Sequence, residues 1–159
     1  MYLPFTHNMK LVYDLRIELQ RNPERVARTQ GLTLDKSRPH MGLQGVGGLW
    51  GSEEWWASTR NGRLQRADVS GVITRCYFAG QDARRGDEVN SFELRLDDGS
   101  RLLKGIHVNE RRDAKLFRPG CSVAWAAVLD PLKDPRQGLM ENGCLTTILE
   151  MAVSLKPEV

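Results

Sequence analysis

The most regular alternation in the chain lies between Val69 and Leu96. Phe92, Leu94 and Leu96 alternate with Ser91, Glu93 and Arg95, which gives one apolar face and one polar face. Ahead of them, Val69 to Phe78 reads as a first strand, joined to the second by a charged segment from Gly80 to Val89. Asp98-Gly99 predicts a tight type I′ hairpin turn, because these residues tolerate positive φ angles. Arg101–Val108 predicts a third strand, with Leu102, Ile106 and Val108 on one face. Asn109 predicts a helix cap, followed by a short helix from Glu110 to Phe117 that Arg118-Pro119-Gly120 ends. A fourth strand over Cys121–Leu129 places Val123, Trp125, Ala127 and Leu129 on one side. A fifth, about Cys144 to Leu155, alternates Leu145, Thr147, Leu149, Met151 and Val153 with Glu150 and Ser154.

The first forty residues follow a different period. Leu11, Leu15 and Leu19, with Val12, form a stripe at helical spacing over residues 9–21, opposite Lys10, Asp14 and Arg21. Asn22-Pro23 predicts the end of that helix and the start of another, which runs to Gln30 and is capped by Gly31. The pattern thus predicts three parts: a helical arm (1–40), a Gly/Trp-rich linker with a short helix (41–65) and a β domain (66–159). In the linker, Ser52 predicts an N-cap, with Glu53 and Glu54 matching the helix dipole and the helix ending near Asn61-Gly62.

Charge sharpens this division. The chain holds 23 Lys+Arg and 20 Asp+Glu over 159 residues. The excess sits in residues 1–40, with seven basic and four acidic groups, whereas residues 66–159 balance at fourteen of each. A neutral β domain argues against a broad phosphate-neutralising surface. Three scattered cysteines, Cys76, Cys121 and Cys144, with no CxxC pair, fit reduced thiols and a cytoplasmic location. Met1 to His7 lacks the charged and apolar regions of a signal peptide, and no apolar run is long enough to span a membrane.

The candidate chemistry is sparse. Val26 to Thr33 is similar to the first helix and turn of helix-turn-helix DNA readers, yet Pro39 leaves little room for a reading helix after Leu34. A helical hairpin packed on the domain or on a second copy is the alternative. Met41 to Gly51 is glycine-rich but has no Gly-Lys-Ser/Thr and no third glycine of a dinucleotide fingerprint, so it reads as linker. His7, His40 and His107 lack metal-ligand spacing, which excludes a zinc site and leaves no metal or other cofactor to expect. Asp97-Asp98 is explained by its turn, and Ser52 has no nucleophile elbow. No catalytic constellation remains, so the sequence reads as a non-enzyme. Trp50, Trp55 and Trp56 either anchor a partner or stack on a ligand, or they plug an open end of the β domain.

The order β-β-β-α-β-β over residues 66–156 resembles the OB-fold, a small five-stranded barrel with a helix between its third and fourth strands. The segment Gly48-Leu-Trp-Gly-Ser-Glu-Glu-Trp-Trp56 and the turn at Gly99 are similar to those of small bacterial proteins that carry no assigned activity. The resemblance implies a barrel with an N-terminal helical arm and places its ligand face between two long connections, Gly80–Val89 and Asp130–Gly143. Their charged residues, Arg84, Arg85 and Asp87 in one and Lys133 and Arg136 in the other, suit a protein partner. The reading is a binding or assembly module that recognises a protein partner or self-associates. The alternative is a nucleic-acid binder that uses the barrel face, with Arg75, Arg95 and Arg101 beside Tyr77 or Phe78, or else the N-terminal segment.

Overall fold

The computed structural model describes residues 1–4, 8–80, 89–136 and 143–157. Its elements, in chain order, are β1 (Met9–Asp14), α1 (Leu15–Arg21), α2 (Pro23–Leu34), α3 (Glu53–Asn61), β2 (Gln65–Arg66) and β3 (Val69–Tyr77). There follow β4 (Ser91–Arg95), β5 (Arg101–Gly105), a 3-10 turn (Arg111–Leu116), β6 (Ser122–Pro131) and β7 (Cys144–Ser154). The protein is mainly β, as the alternation predicted. Its strands form one sheet in the order β1-β7-β6-β3-β4-β5, with β2 paired to β6.

The expected five-stranded barrel does not form. A barrel closes when its last strand meets its first. Here β1 occupies the outer side of β7, and among the described residues β5 pairs only with β4. The sheet is therefore open. It has seven strands, not five: β1 and β2 join it from the segments expected to be helical arm and linker.

The miss at β1 has a physical cause. Residues 9–14 lie in the helical stripe, yet Val12 and Tyr13 are buried as strand residues, and Tyr13 pairs with Met151 of β7. The tertiary partner overrides the local period. Leu11 is left 42% exposed while Leu15 and Leu19 are buried, so the stripe divides where the strand becomes α1. The second helix begins with Pro23 in its first turn as expected. It then passes through Gly31 to Leu34, and the side chain of Asn22 donates back to Glu18 without capping α2. The turn that a helix-turn-helix reader needs after Gly31 is absent.

Other local signals hold. Ser52 Oγ accepts the amide of Trp55, and Gly62 ends α3 with φ +88°, a conformation glycine adopts without strain. Between β4 and β5 the amide of Gly99 donates to the carbonyl of Leu96. Asp97 and Asp98 are thus the central pair and Gly99, at φ +82°, follows them, so the turn lies one residue earlier than expected. The predicted helix at 110–117 is a 3-10 turn, and Asn109 does not cap it.

The chain divides into two compact units, both discontinuous in sequence. The first comprises Met1–Asp14, Val69–Ala126 and Glu150–Val159. Phe92, Phe117 and Trp125 meet at its centre, with ring centroids 5.5 Å apart for Phe92–Phe117 and 6.2 Å for Phe92–Trp125. The carboxylate of buried Glu150 accepts the amides of Tyr2 and Leu3, which holds the N-terminal residues to β7. The second unit comprises Leu15–Asp68 and Ala127–Leu149 and buries Leu15, Leu43, Leu64, Val128 and the three tryptophans.

Candidate protein-binding surfaces

The polar face of β3, β4 and β5 gathers a cluster that the alternation predicted in part. Register places Arg75 opposite Glu93, and Glu93 opposite Leu103. The Glu93 carboxylate meets Arg75 Nε at 3.4 Å and Arg101 Nη1 at 3.0 Å, and accepts the Thr74 hydroxyl at 2.7 Å. The Thr74 hydrogen bond, followed by those two guanidinium groups, holds the Glu93 carboxyl below its ordinary pKa. Arg75 also lies 4.8 Å above the Tyr77 ring. Arg95 is exposed on the same face, and Leu103 stands 58% exposed beside Glu93.

Three guanidinium groups against one carboxylate leave this face positive. Exposed ion pairs add little to stability, so the cluster is better suited to meeting an acidic surface than to holding the sheet.

The second unit carries a shallow recess of about 300 Å³ between α1, α2 and Gly51. Arg16 and Gln20, Pro23 and Val26, and Gly51 and Trp56 line it, and the Arg16 guanidinium sits 4.1 Å over the Trp56 ring. Gly51 is required there: its φ is +81°, and a Cβ would come within 3.2 Å of Leu19.

The residues singled out from sequence fall in different places. Trp50, Trp55 and Trp56 are 3%, 0% and 8% exposed, so their rings are spent within their own unit. With no barrel there is also no open end for them to plug. Trp55 meets both neighbours edge-on, at 6.1 Å from Trp50 and 4.9 Å from Trp56. Its indole nitrogen donates to buried Asp130, whose second carboxylate oxygen has no partner among the described residues. Burial raises the pKa of that carboxyl.

Lys133 does not face solvent as a free loop cation. Its ammonium donates to the carbonyls of Leu32, Asp35 and Arg38 at 2.6, 3.2 and 3.3 Å, and so finishes the C-terminal end of α2. Arg136 is exposed and pairs with Asp134 at 3.4 Å. Arg84, Arg85 and Asp87 lie outside the described residues. Among the described residues no cluster of His, Cys, Asp or Glu is arranged to hold a metal ion. The anchor of α2 by Lys133 has no local signature, because the lysine and its three acceptors are about a hundred residues apart.

Residues 9–154 match the family model described as Immunity protein RhsI2. That match covers β1 through β7. The chain belongs to the RhsI2 immunity protein family. Membership supports a protein-binding role, consistent with surfaces that display arginines and an exposed leucine. No curated protein shows a significant match to the chain.

Proposed function

We propose that this protein is an inhibitor that binds a cognate protein toxin and blocks it by occupancy, without chemistry of its own. The observation that carries the reading is the family match from Met9 to Ser154, which takes in every strand of the sheet. An immunity protein protects by recognising the toxin it accompanies, and recognition of a folded partner needs a rigid surface with a few well-placed side chains. An open sheet with a charged face supplies one. All three cysteines are free thiols, which suits a reducing compartment, and we place the encounter in the cytoplasm.

The nucleic-acid reading gains nothing from the fold. α2 runs straight through the residues that needed to turn, and the positive sheet face is small and interrupted by Glu93.

The test is growth rescue. Cells expressing the cognate toxin should survive when this chain is co-produced and die when it is omitted. A toxin that kills equally in both cases would refute the proposal.

A further inference from the structure

The two outermost strands of the sheet are finished in different ways. On β1 the outward groups of Val12 and Asp14 are engaged: the amide of Asn109 donates to the Val12 carbonyl at 2.9 Å. The Asn109 side chain accepts the Asp14 amide at 2.7 Å and donates to the Asp14 carbonyl at 3.1 Å. A register shift between Leu11 and Tyr13 further disrupts that edge. A protein strand cannot add to that half of β1.

On β5 the outward groups are open among the described residues. The amide of Leu96 bonds the Ser100 carbonyl, and the amide of Ile106 bonds the Asn90 carbonyl, so even-numbered positions from 100 to 106 face β4. Arg101, Leu103 and Gly105 therefore aim their amides and carbonyls away from the sheet. Among the described residues the one partner on that side is His107 Nδ1, 3.1 Å from the Gly105 carbonyl. Unpaired edges invite another strand, and soluble proteins normally block them. Among the described residues this sheet is interrupted along β1 and open along β5.

We infer that β5 is the docking edge for the toxin, and that the toxin pairs with it as an added antiparallel or parallel strand bearing acidic side chains. The inference rests on the proposed toxin-binding role. Charge selects the occupant. A second copy of this chain would bring another set of Arg75, Arg95 and Arg101 against the first, whereas an acidic strand places carboxylates beside Arg101 and its neighbours. Leu103, 58% exposed in the middle of the edge, is covered by an apolar residue two positions along the same strand. The backbone supplies affinity and the side chains supply register. Lys104 takes no part, since its ammonium lies over Trp125 on the opposite face of the sheet, 5.5 Å from the ring centroid.

Amide hydrogen exchange on the full chain, with and without purified cognate toxin, reads the pairing directly. The amides of Arg101, Leu103 and Gly105 should exchange quickly in the free protein and become protected in the complex, while those of Leu102 and Lys104 are slow in both. Two variants support the measurement. Leu103→Pro removes an outward amide without breaking a bond to β4 and should weaken binding by about tenfold or more, the loss of a hydrogen bond and its neighbours. Arg101→Gln should weaken binding and flatten its dependence on salt. If the toxin binds but the odd-numbered amides exchange as before and Arg101→Gln binds like the parent, the edge inference fails and the toxin-binding role stands. If no complex forms, the role fails and the inference falls with it.

Discussion

Trp55 and Asp130 share a buried hydrogen bond of 3.0 Å that satisfies the indole and only half of the carboxylate. The group is 1% exposed, and burial raises its pKa above the ordinary value of about 3.9. The sign follows from linkage. The folded state holds this proton at pH values where the unfolded chain has lost it, so the penalty is absent below the unfolded pKa. It grows as pH rises and is complete above the folded pKa. Asp130→Asn keeps an acceptor for Trp55 and removes the charge. Its melting point should exceed the parent's at pH 7.5 by roughly 2–4 °C for each 1 kcal/mol recovered, and the gap should close towards pH 4. Thermal melts across that range check it.

Lys133 offers a second measurement. Lys133→Met takes from the carbonyls of Leu32, Asp35 and Arg38 their charged second donor, leaving only the backbone amides of Asp35, Arg38 and Met41, and the end of α2 loses a charge that complements its dipole. The expected loss is about 1–3 kcal/mol. Chemical denaturation should show a lower midpoint with little change in slope.

Gly71 sits where β3 meets β4 closely. A Cβ there would lie 2.4 Å from the Arg95 carbonyl oxygen and 2.8 Å from Leu94 Cγ. Gly71→Ala should therefore cost about 1–3 kcal/mol, the range for forced overpacking, although alanine suits most strands better than glycine does. An unchanged melting point would show that the two strands can separate without loss.

The thiols of Cys76 and Cys121 should both resist modification. Cys121 is fully buried, and burial raises the pKa of the Cys76 thiol, which donates to the Phe117 carbonyl. Native protein should label slowly at both positions, and unfolding should release them together. Mass spectrometry after timed alkylation distinguishes the sites.

How much of this was legible beforehand varies with the range of the forces involved. Turns and caps are local, so Ser52, Gly62 and the region of Gly99 declared themselves. The strands from Val69 onwards did too, because their faces differ in polarity. β1 did not, since Leu11 and Val12 continue the helical period of Leu15 and Leu19 and only pairing with β7 makes residues 9–14 a strand. Closure was equally hidden: five strands and a helix in order say nothing about which edges meet. For the candidate surfaces, the polar positions of Arg75, Glu93, Arg95 and Arg101 were readable from alternation. The burial of the tryptophans, the role of Lys133 and the contrast between the edges at Asn109 and Leu103 depend on contacts distant in sequence.

The central claim is occupancy of a toxin, and a stoichiometric titration tests it most directly. A fixed amount of purified cognate toxin is mixed with rising amounts of this protein, and residual toxicity is scored at several incubation times. The account predicts a sharp end point at a constant molar ratio that does not move with time. Full protection by a small fraction of that ratio, deepening as incubation lengthens, would mean that the protein turns over its target and would contradict inhibition by binding.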